Sequence, residues 1–274
     1  MSYKVDFHIH TNYSDGTQTP TEIVKQAKAL EYDMISITDH DGVDGVHEAM
    51  IAGEALELQV VPGVEIATVT EDDISLHILG YYIDIKNHKL TEALQTLREN
   101  RHARNEKMLR VLKSQGYDLK VEDLISRQGE NYIGKPNIAR ALVKLGAIKT
   151  EKEAFEKGKF LGSKEAMAVK KTKIQTKEAI QVIKEAGGMA VLAHPIQIKE
   201  FGRPGCQGFY EKLDLLIKEL KTAGLKGIEC YHKDHSKEEC LKFVEIAEKY
   251  HLHITTGSDC HGRLDMEQKF NNMV

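Results

Sequence analysis

Short apolar runs rich in valine and isoleucine alternate along this chain with longer stretches in which apolar residues recur at helical spacing. This alternation is typical of βα units, in which helices connect parallel strands. We therefore predict an α/β protein built around a βα barrel. The predicted strands are VDFHIH, MISITDH, LQVVPGVEIAT and ISLHILGYYI early in the chain, and GMAVLAHP, GIECYH and HITTGSDCHG near its end.

A long helical region separates these two groups of strands. The first helix is predicted over residues 21–31, where TPTE supplies a threonine cap, an early proline and a glutamate three residues after the cap. Helical patterns then dominate between the two groups of strands. We assign residues 1–86 and 185–274 to the barrel, and residues 87–184 to a mainly helical insertion that selects the substrate.

Two histidines, His8 and His10, end the first apolar run. Successive side chains of a strand point to opposite faces, so these histidines are expected to share one face while Phe7 and Ile9 share an apolar one. The last strand ends with a similar pair, Asp259 and His261, and the same alternation turns Cys260 toward the core. Both ends of the chain thus carry pairs of metal-ligating residue types at strand spacing.

Nine polar residues lie where predicted strands end, at the edge where barrel enzymes place their sites. These candidate metal ligands are His8, His10, Asp15, His40, Glu65, His77, His194, Asp259 and His261. Imidazole and carboxylate donors together suit zinc, manganese or iron. One ion needs only three or four protein ligands, so this set predicts two or three divalent ions, an arrangement suited to phosphate esters.

Composition sets further bounds on the 274-residue chain, which is 41% hydrophobic and carries a net charge of −4. This balance predicts no overall basic surface for nucleic acid. The four cysteines lack metal-site spacing, and neither a leader pattern nor a bilayer-length apolar run is present. We therefore expect a cytoplasmic protein that does not associate with membranes. No stable protein partner is predicted.

Six motifs in order resemble the polymerase and histidinol phosphatase (PHP) superfamily of metal-dependent phosphoesterases: HIHTNYSDG, TDHDGVDG, PGVEI, HILGYY, AHP and GSDCHG. SDGT, GIECYH and IGKPNIARALV are similar to the subgroup with 3′,5′-nucleoside bisphosphate phosphatases and a bacterial exonuclease that trims RNA from its 5′ end. The resemblance implies a distorted seven-stranded barrel with three ions. Its ligand sets would be His8, His10, Glu65 and Asp259; Glu65, His77 and His194; and Asp15, His40 and His261.

Cationic residues of the insertion are the candidate substrate contacts. Arg101 and Arg104 lie one helical turn apart, and guanidinium groups suit phosphate oxygens. Lys135, Asn137 and Arg140 follow a glycine, where a backbone can approach an anion. The PHP pattern usually has arginine and histidine at positions 135 and 137. The alternative interpretation is a solvated helix face. His232, at the end of GIECYH, is expected to line the substrate site or to cap its strand.

The predicted reaction is hydrolysis of a phosphomonoester by a metal-bound hydroxide, with Asp15, His40 and His261 nearest the point of attack. Asp6, Asp39 and Asp41 are the expected hydrogen-bond partners of the ligand histidines. The expected substrate is a small phosphorylated molecule, a 3′,5′-bisphosphorylated nucleotide or the 5′ end of a short RNA. Alternatives are a histidinol-phosphate type of phosphatase, a metallohydrolase of C–N or C–O bonds and a non-catalytic metal-binding accessory module.

Overall fold

The computed structural model describes residues 3–125 and 132–262, so the last residues of the predicted barrel segment, 263–274, lie outside the described residues. The strands are β1 (Val5–Ile9), β2 (Met34–Ile37), β3 (Gln59–Val69), β4 (Ser75–Tyr81), β5 (Ile174–Gln175), β6 (Met189–Leu192), β7 (Gly227–His232) and β8 (His253–Gly257). The α-helices are α1 (Pro20–Ala29), α2 (Val46–Leu56), α3 (His88–Ser114), α4 (Lys135–Lys144), α5 (Lys164–Ala168), α6 (Thr176–Glu185), α7 (Gln207–Ala223) and α8 (Lys237–Lys249). Short 3₁₀ helices span Val121–Leu124, Glu151–Phe155, Phe160–Gly162, Pro195–Gln197 and Lys199–Phe201.

Seven of the strands form a nearly closed barrel in the order β1-β2-β3-β4-β6-β7-β8, and β5 pairs with β3 outside this path. The two ends of the sheet meet where the segment after β8 passes β1. There the amide of His10 donates to the carbonyl of Cys260 at 2.9 Å, and Ile9 pairs with Cys260 in a parallel bridge. The predicted distorted (β/α)7 barrel is confirmed.

Strand β4 departs from the all-parallel arrangement that the sequence pattern predicts. It runs antiparallel to β3 and to β6. The cause is the connection between β3 and β4, which is a tight turn in which the amide of Thr70 donates to the carbonyl of Ile74 at 2.9 Å. A parallel pair needs a crossover of a dozen or more residues, so this short turn permits only a hairpin.

The prediction that Phe7 and Ile9 share one apolar face of β1 is wrong. The register between β1 and β2 shifts between Asp6 and Ile9, which changes the alternation of side chains within the strand. Phe7 packs against Tyr81 in one cluster, while Ile9 lies in another cluster with residues of α1 and α2. Cys260 is only 1% exposed and belongs to the cluster of Ile9, so its predicted core-side orientation is confirmed.

The chain divides into two compact units, residues 1–94 with 174–274, and residues 95–173. The predicted insertion, residues 87–184, is therefore longer at both ends than the second unit. Helix α6 lies in the barrel unit because its buried Ile183 packs against Gly80 of β4. Since barrel helices and inserted helices have the same periodicity, the sequence pattern does not separate them.

The second unit, which we call the inserted unit, has a core of its own. It consists of residues from α3, α4, α5 and the short helices between them. Met108 and Leu142 are fully buried within it. None of the described helices is long and apolar enough to span a membrane.

Truncation of this core tests whether it contributes to stability. Leu142→Ala should lower the free energy of unfolding by about 2–5 kcal/mol, because it removes buried methyl groups and leaves a cavity. Leu145→Ala is the matched control, because Leu145 is 51% exposed and its truncation should change little. Urea unfolding followed by circular dichroism measures both. Equal effects of the two substitutions would contradict this account of the core.

Candidate metal centre

The nine candidate ligands form one group at the end of the barrel. In each of them an imidazole nitrogen lies 2.7–3.6 Å from a carboxylate oxygen of another member, or a carboxylate oxygen from such a nitrogen. The side chains come from all around the sheet. Their positions are His8 in β1, His10 and Asp15 after β1, His40 after β2, Glu65 in β3, His77 in β4, His194 after β6, and Asp259 and His261 after β8.

Glu65 is the centre of this group. One oxygen, Oε1, lies 2.8 Å from Nδ1 of His77 and 2.9 Å from Nε2 of His194. The other, Oε2, lies 2.7 Å from Nδ1 of His40, 3.4 Å from His10 and 3.5 Å from His8. The two oxygens of this carboxylate therefore face different histidines.

Burial opposes ionisation of Glu65, but the surrounding imidazoles more than offset it. His40, His77 and His8 hold the pKa of this carboxyl well below its usual range. Conversely, burial and the neighbouring His40 lower the pKa of His10 to about 4. A carboxylate and a neutral imidazole are the forms that bind metal ions.

His77 reaches the group from the beginning of its strand. It lies opposite Ala67 in the antiparallel pair of β3 and β4. An antiparallel strand enters the sheet at the edge where its neighbour leaves it, so the first residues of β4 lie at the same edge as the end of β3. The prediction that His77 lies at this edge is compatible with the structure, although β4 was predicted to run parallel to its neighbours and is antiparallel.

Glu229 of β7 is a part of the site that the sequence analysis missed. Its Oε1 lies 2.9 Å from Nδ1 of His8, and its Oε2 accepts from the backbone amide of His194 at 2.7 Å. Burial opposes its ionisation, yet His8 lowers the pKa of Glu229 to about 2. A carboxylate that is fully buried in an apolar strand requires a partner. The glutamate within the apolar strand GIECYH was therefore the sequence signal that could have identified Glu229.

The three predicted partners of the ligand histidines accept from backbone and hydroxyl groups. Asp6 accepts from the backbone amide of His8 at 3.1 Å and from the amide and the hydroxyl of Ser258. Asp41 accepts from the amide of Ala67 at 3.0 Å. Asp39 accepts from Ser14 at 2.5 Å, and the Ser14 hydroxyl lies 3.4 Å from Nδ1 of His10. The Asp39 side chain is thus linked to His10 through Ser14, and its carbonyl accepts from the amide of Glu65 at 3.2 Å.

The donor atoms fit divalent metal ions. Nε2 of His8, Nε2 of His10 and Oδ1 of Asp15 are buried without a hydrogen-bond partner. Nδ1 of His8 is held by Glu229, which leaves the Nε2 lone pair directed into the group, as in many metal sites. Donor atoms within 4.8 Å of one another form four sets: His10, Asp15, His40 and His261; His8, His232 and Asp259; His8, His10 and Glu65; and His40, Glu65 and His77.

These sets differ in detail from the ligand sets that the resemblance implied. His10 lies with Asp15, His40 and His261 as well as with His8 and Glu65. His194 belongs to none of the four sets, although its Nε2 is 2.9 Å from Glu65. His232, expected to line the substrate site or to cap its strand, is fully buried next to Asp259.

The inserted unit carries a cluster of cations, buried Arg101 and Arg104 and half-buried Lys135. Both arginines are buried, and Arg101 stacks on the ring of Tyr132 at 3.6 Å. Nε and Nη1 of Arg104 are buried without a hydrogen-bond partner. Burial and the adjacent Arg104 lower the pKa of Lys135. The alternative interpretation of these arginines as a solvated helix face is therefore wrong.

The other predicted substrate contacts in this unit differ from that cluster. Asn137 accepts from the amide of Gly134 at 3.0 Å and donates to the carbonyl of Leu124 at 3.2 Å, so its side chain stabilises the first turn of α4. The Gly134 amide, expected to approach an anion, is used in this contact. Arg140 is half-buried on α4, with its Nε buried.

A model of the PHP domain matches residues 6–188 of the chain. The chain belongs to the PHP domain family. It is thus a metal-dependent phosphoesterase, a hydrolase of phosphoric ester bonds, and its candidate centre supplies imidazole and carboxylate groups suited to that chemistry.

Similar proteins have related chemistry. The chain is 30% identical over 261 residues to a 5′-3′ exoribonuclease from Haemophilus influenzae, covering 95% of this chain and 91% of the relative. It is 32% identical over 259 residues to a 3′,5′-nucleoside bisphosphate phosphatase from Chromobacterium violaceum, covering 94% and 87%. A solved structure from Bifidobacterium adolescentis, assigned as a metal-dependent phosphoesterase, superimposes with a TM-score of 0.82 at 32% identity, covering 100% of this chain and 93% of that one.

Substitution of Glu229 tests whether it orients the candidate ligands. In Glu229→Gln a single carbonyl oxygen remains to accept from both His8 and the His194 amide, so His8 loses its fixed orientation. We expect zinc affinity to fall roughly 10- to 100-fold, measured by competition with a chelator. Glu245→Gln, on the exposed face of α8, is the control. Unchanged affinity in a folded Glu229 variant would show that this carboxylate does not support the centre.

Proposed function

We propose that this phosphoesterase acts on nucleotides that carry two phosphates, or on the 5′ end of short RNA. The buried cationic cluster of the inserted unit is the observation that carries the proposal. Buried guanidinium groups are costly without an anionic partner, and Arg104 has nitrogens without one. A hydrolytic centre together with a separate anion site matches a substrate that has one phosphate to lose and another to bind.

The names of the relatives support the same substrate class, since one is a bisphosphate phosphatase and the other an exoribonuclease. Both act on nucleotide substrates with phosphate esters. The cluster also distinguishes this proposal from a phosphatase for small amino alcohol phosphates, because a substrate with one phosphate does not require a second anion site.

We propose two or three ions, of zinc, manganese or iron, with Glu65 as the bridging ligand. Its two oxygens face different histidines, which favours more than one ion. When bound, such ions neutralise phosphoryl oxygens and make water nucleophilic at neutral pH. Asp15, His40 and His261 form the part of the group that we place nearest the point of attack.

The cationic cluster in turn has a defined role for each residue. Arg104 directs its unpartnered nitrogens at the anion, and Arg101 is held in place by its stacking on Tyr132. Lys135 adds a further positive charge next to Arg104. We leave Asn137 out of the anion site because its side chain is used within α4.

A substrate panel tests the proposal directly. Phosphate or nucleotide release is measured with adenosine 3′,5′-bisphosphate, a 5′-phosphorylated oligoribonucleotide, histidinol phosphate and p-nitrophenyl phosphate. We expect the highest kcat/KM for one of the first two, loss of activity on chelation and its return with added Mn²⁺ or Zn²⁺. Preference for histidinol phosphate would favour the small-molecule alternative, and hydrolysis that survives complete metal removal would contradict the metal centre.

The role of the cationic cluster is tested with Arg104→Met. Loss of a buried charged contact to phosphate should raise KM for adenosine 3′,5′-bisphosphate roughly 10- to 100-fold, with little change for p-nitrophenyl phosphate. Arg110→Met is the matched control, because Arg110 is exposed on the same helix, where it pairs with Glu106. An equal rise of KM for both substrates would argue against a second phosphate site.

A further inference from the structure

The carboxylate of Asp259 has two different surroundings. Its Oδ1 lies 3.2 Å from Nε2 of His10 and 3.4 Å from Nδ1 of His261, inside the candidate metal centre. Its Oδ2 lies 3.4 Å from Nε2 of His232 and 3.0 Å from Nζ of Lys233. One oxygen therefore faces the candidate ligands, and the other faces two consecutive side chains at the end of β7.

The hydrogen bonds of His232 show which of its nitrogens carries a hydrogen. The backbone amide of Asp234 donates to Nδ1 of His232 at 3.1 Å. An amide N–H only donates, so Nδ1 must be the acceptor, and the neutral imidazole carries its hydrogen on Nε2. This Nε2 is fully buried, lies 3.4 Å from Oδ2 of Asp259 and has no hydrogen-bond partner among the described residues.

The only ring hydrogen of neutral His232 is thus on Nε2, the nitrogen that lies nearest Asp259. A metal ligand would need a lone pair on Nε2, and hence a hydrogen on Nδ1, where the Asp234 amide already donates. The proximity of His8, His232 and Asp259 by itself would suggest a shared ion. The hydrogen-bond pattern argues against it.

The backbone of Asp259 is held as well. Its φ of 49° lies in the left-handed region, which is unfavourable for a residue with a side chain. Lys233, the residue after His232, donates from Nζ to the Asp259 carbonyl at 2.7 Å and so holds this conformation. The end of β7 therefore holds both the main chain and the side chain of this candidate ligand.

We propose that His232 is a positioning residue, whose Nε2–H orients Asp259 so that Oδ1 is the oxygen presented to the ion. In this role it is neither a metal ligand nor a substrate contact. The inference rests on the metal centre proposed above and adds to it a residue outside the nine candidate ligands.

Two substitutions separate the possible roles. His232→Gln keeps an N–H donor close to the place of Nε2 but removes the imidazole, whereas His232→Phe removes the donor. Zinc affinity is measured without substrate by chelator competition, and zinc content by mass spectrometry. We expect a roughly 10- to 100-fold loss of affinity in His232→Phe and near-normal affinity in His232→Gln. His47→Phe and His47→Gln, on the exposed face of α2, are the matched controls.

Each other result overturns the inference. Loss of zinc in both variants would make His232 a ligand, and normal zinc binding in both, with or without a raised KM, would remove the positioning role. The tautomer is also read in the unaltered protein by ¹⁵N NMR, with and without zinc, so the test does not depend on the folding of His232→Phe. A hydrogen on Nδ1 would overturn the inference. Absence of zinc binding by the unaltered protein would contradict the proposed centre itself. Loss of zinc affinity in His232→Gln, while the unaltered protein binds zinc, would contradict only the positioning role.

Discussion

The fully buried carboxylate of Glu65 is the constraint around which the barrel end is organised. A charge at this depth is strongly unfavourable unless opposite charges surround it. Five imidazoles lie within 3.5 Å of its two oxygens. These histidines come from four separate segments of the chain, at β1, β2, β4 and β6, so this arrangement exists only when the sheet is assembled. Formation of the centre and assembly of the sheet are therefore coupled.

The backbone at the edge of the barrel reflects the same constraint. His194 and Asp259 both have positive φ values, 24° and 49°, that residues with side chains rarely adopt. Each is held by a buried or half-buried side chain from β7 or its end, since Glu229 accepts from the His194 amide and Lys233 donates to the Asp259 carbonyl. Strand β7 thus contributes to the centre mainly by fixing residues of other strands.

Much of this site could be predicted from sequence because its residues lie in short motifs at strand ends. The pair His8 and His10 and the pair Asp259 and His261 each stand two residues apart within one short motif, so a short stretch of sequence is enough to identify both members. Glu229 could not be assigned in this way, because its partner His8 is 221 positions away. The direction of β4 was also missed, because it depends on the length of one turn. Whether α6 belongs to the barrel or to the inserted unit depends on its packing, which periodicity does not record.

The groups suited to binding cations and the groups suited to binding anions lie in different compact units of this chain. A centre of carboxylates and imidazoles attracts metal cations, and arginines placed among its ligands would repel the ions that it must bind. The planar guanidinium group suits phosphate oxygens. In this chain the buried pair Arg101 and Arg104 belongs to the inserted unit, whereas Glu65 and its histidines belong to the barrel unit. Lys233 is a cation close to the centre, and it is compatible with metal binding because it contacts Oδ2 of Asp259, the oxygen that faces away from the candidate ligands.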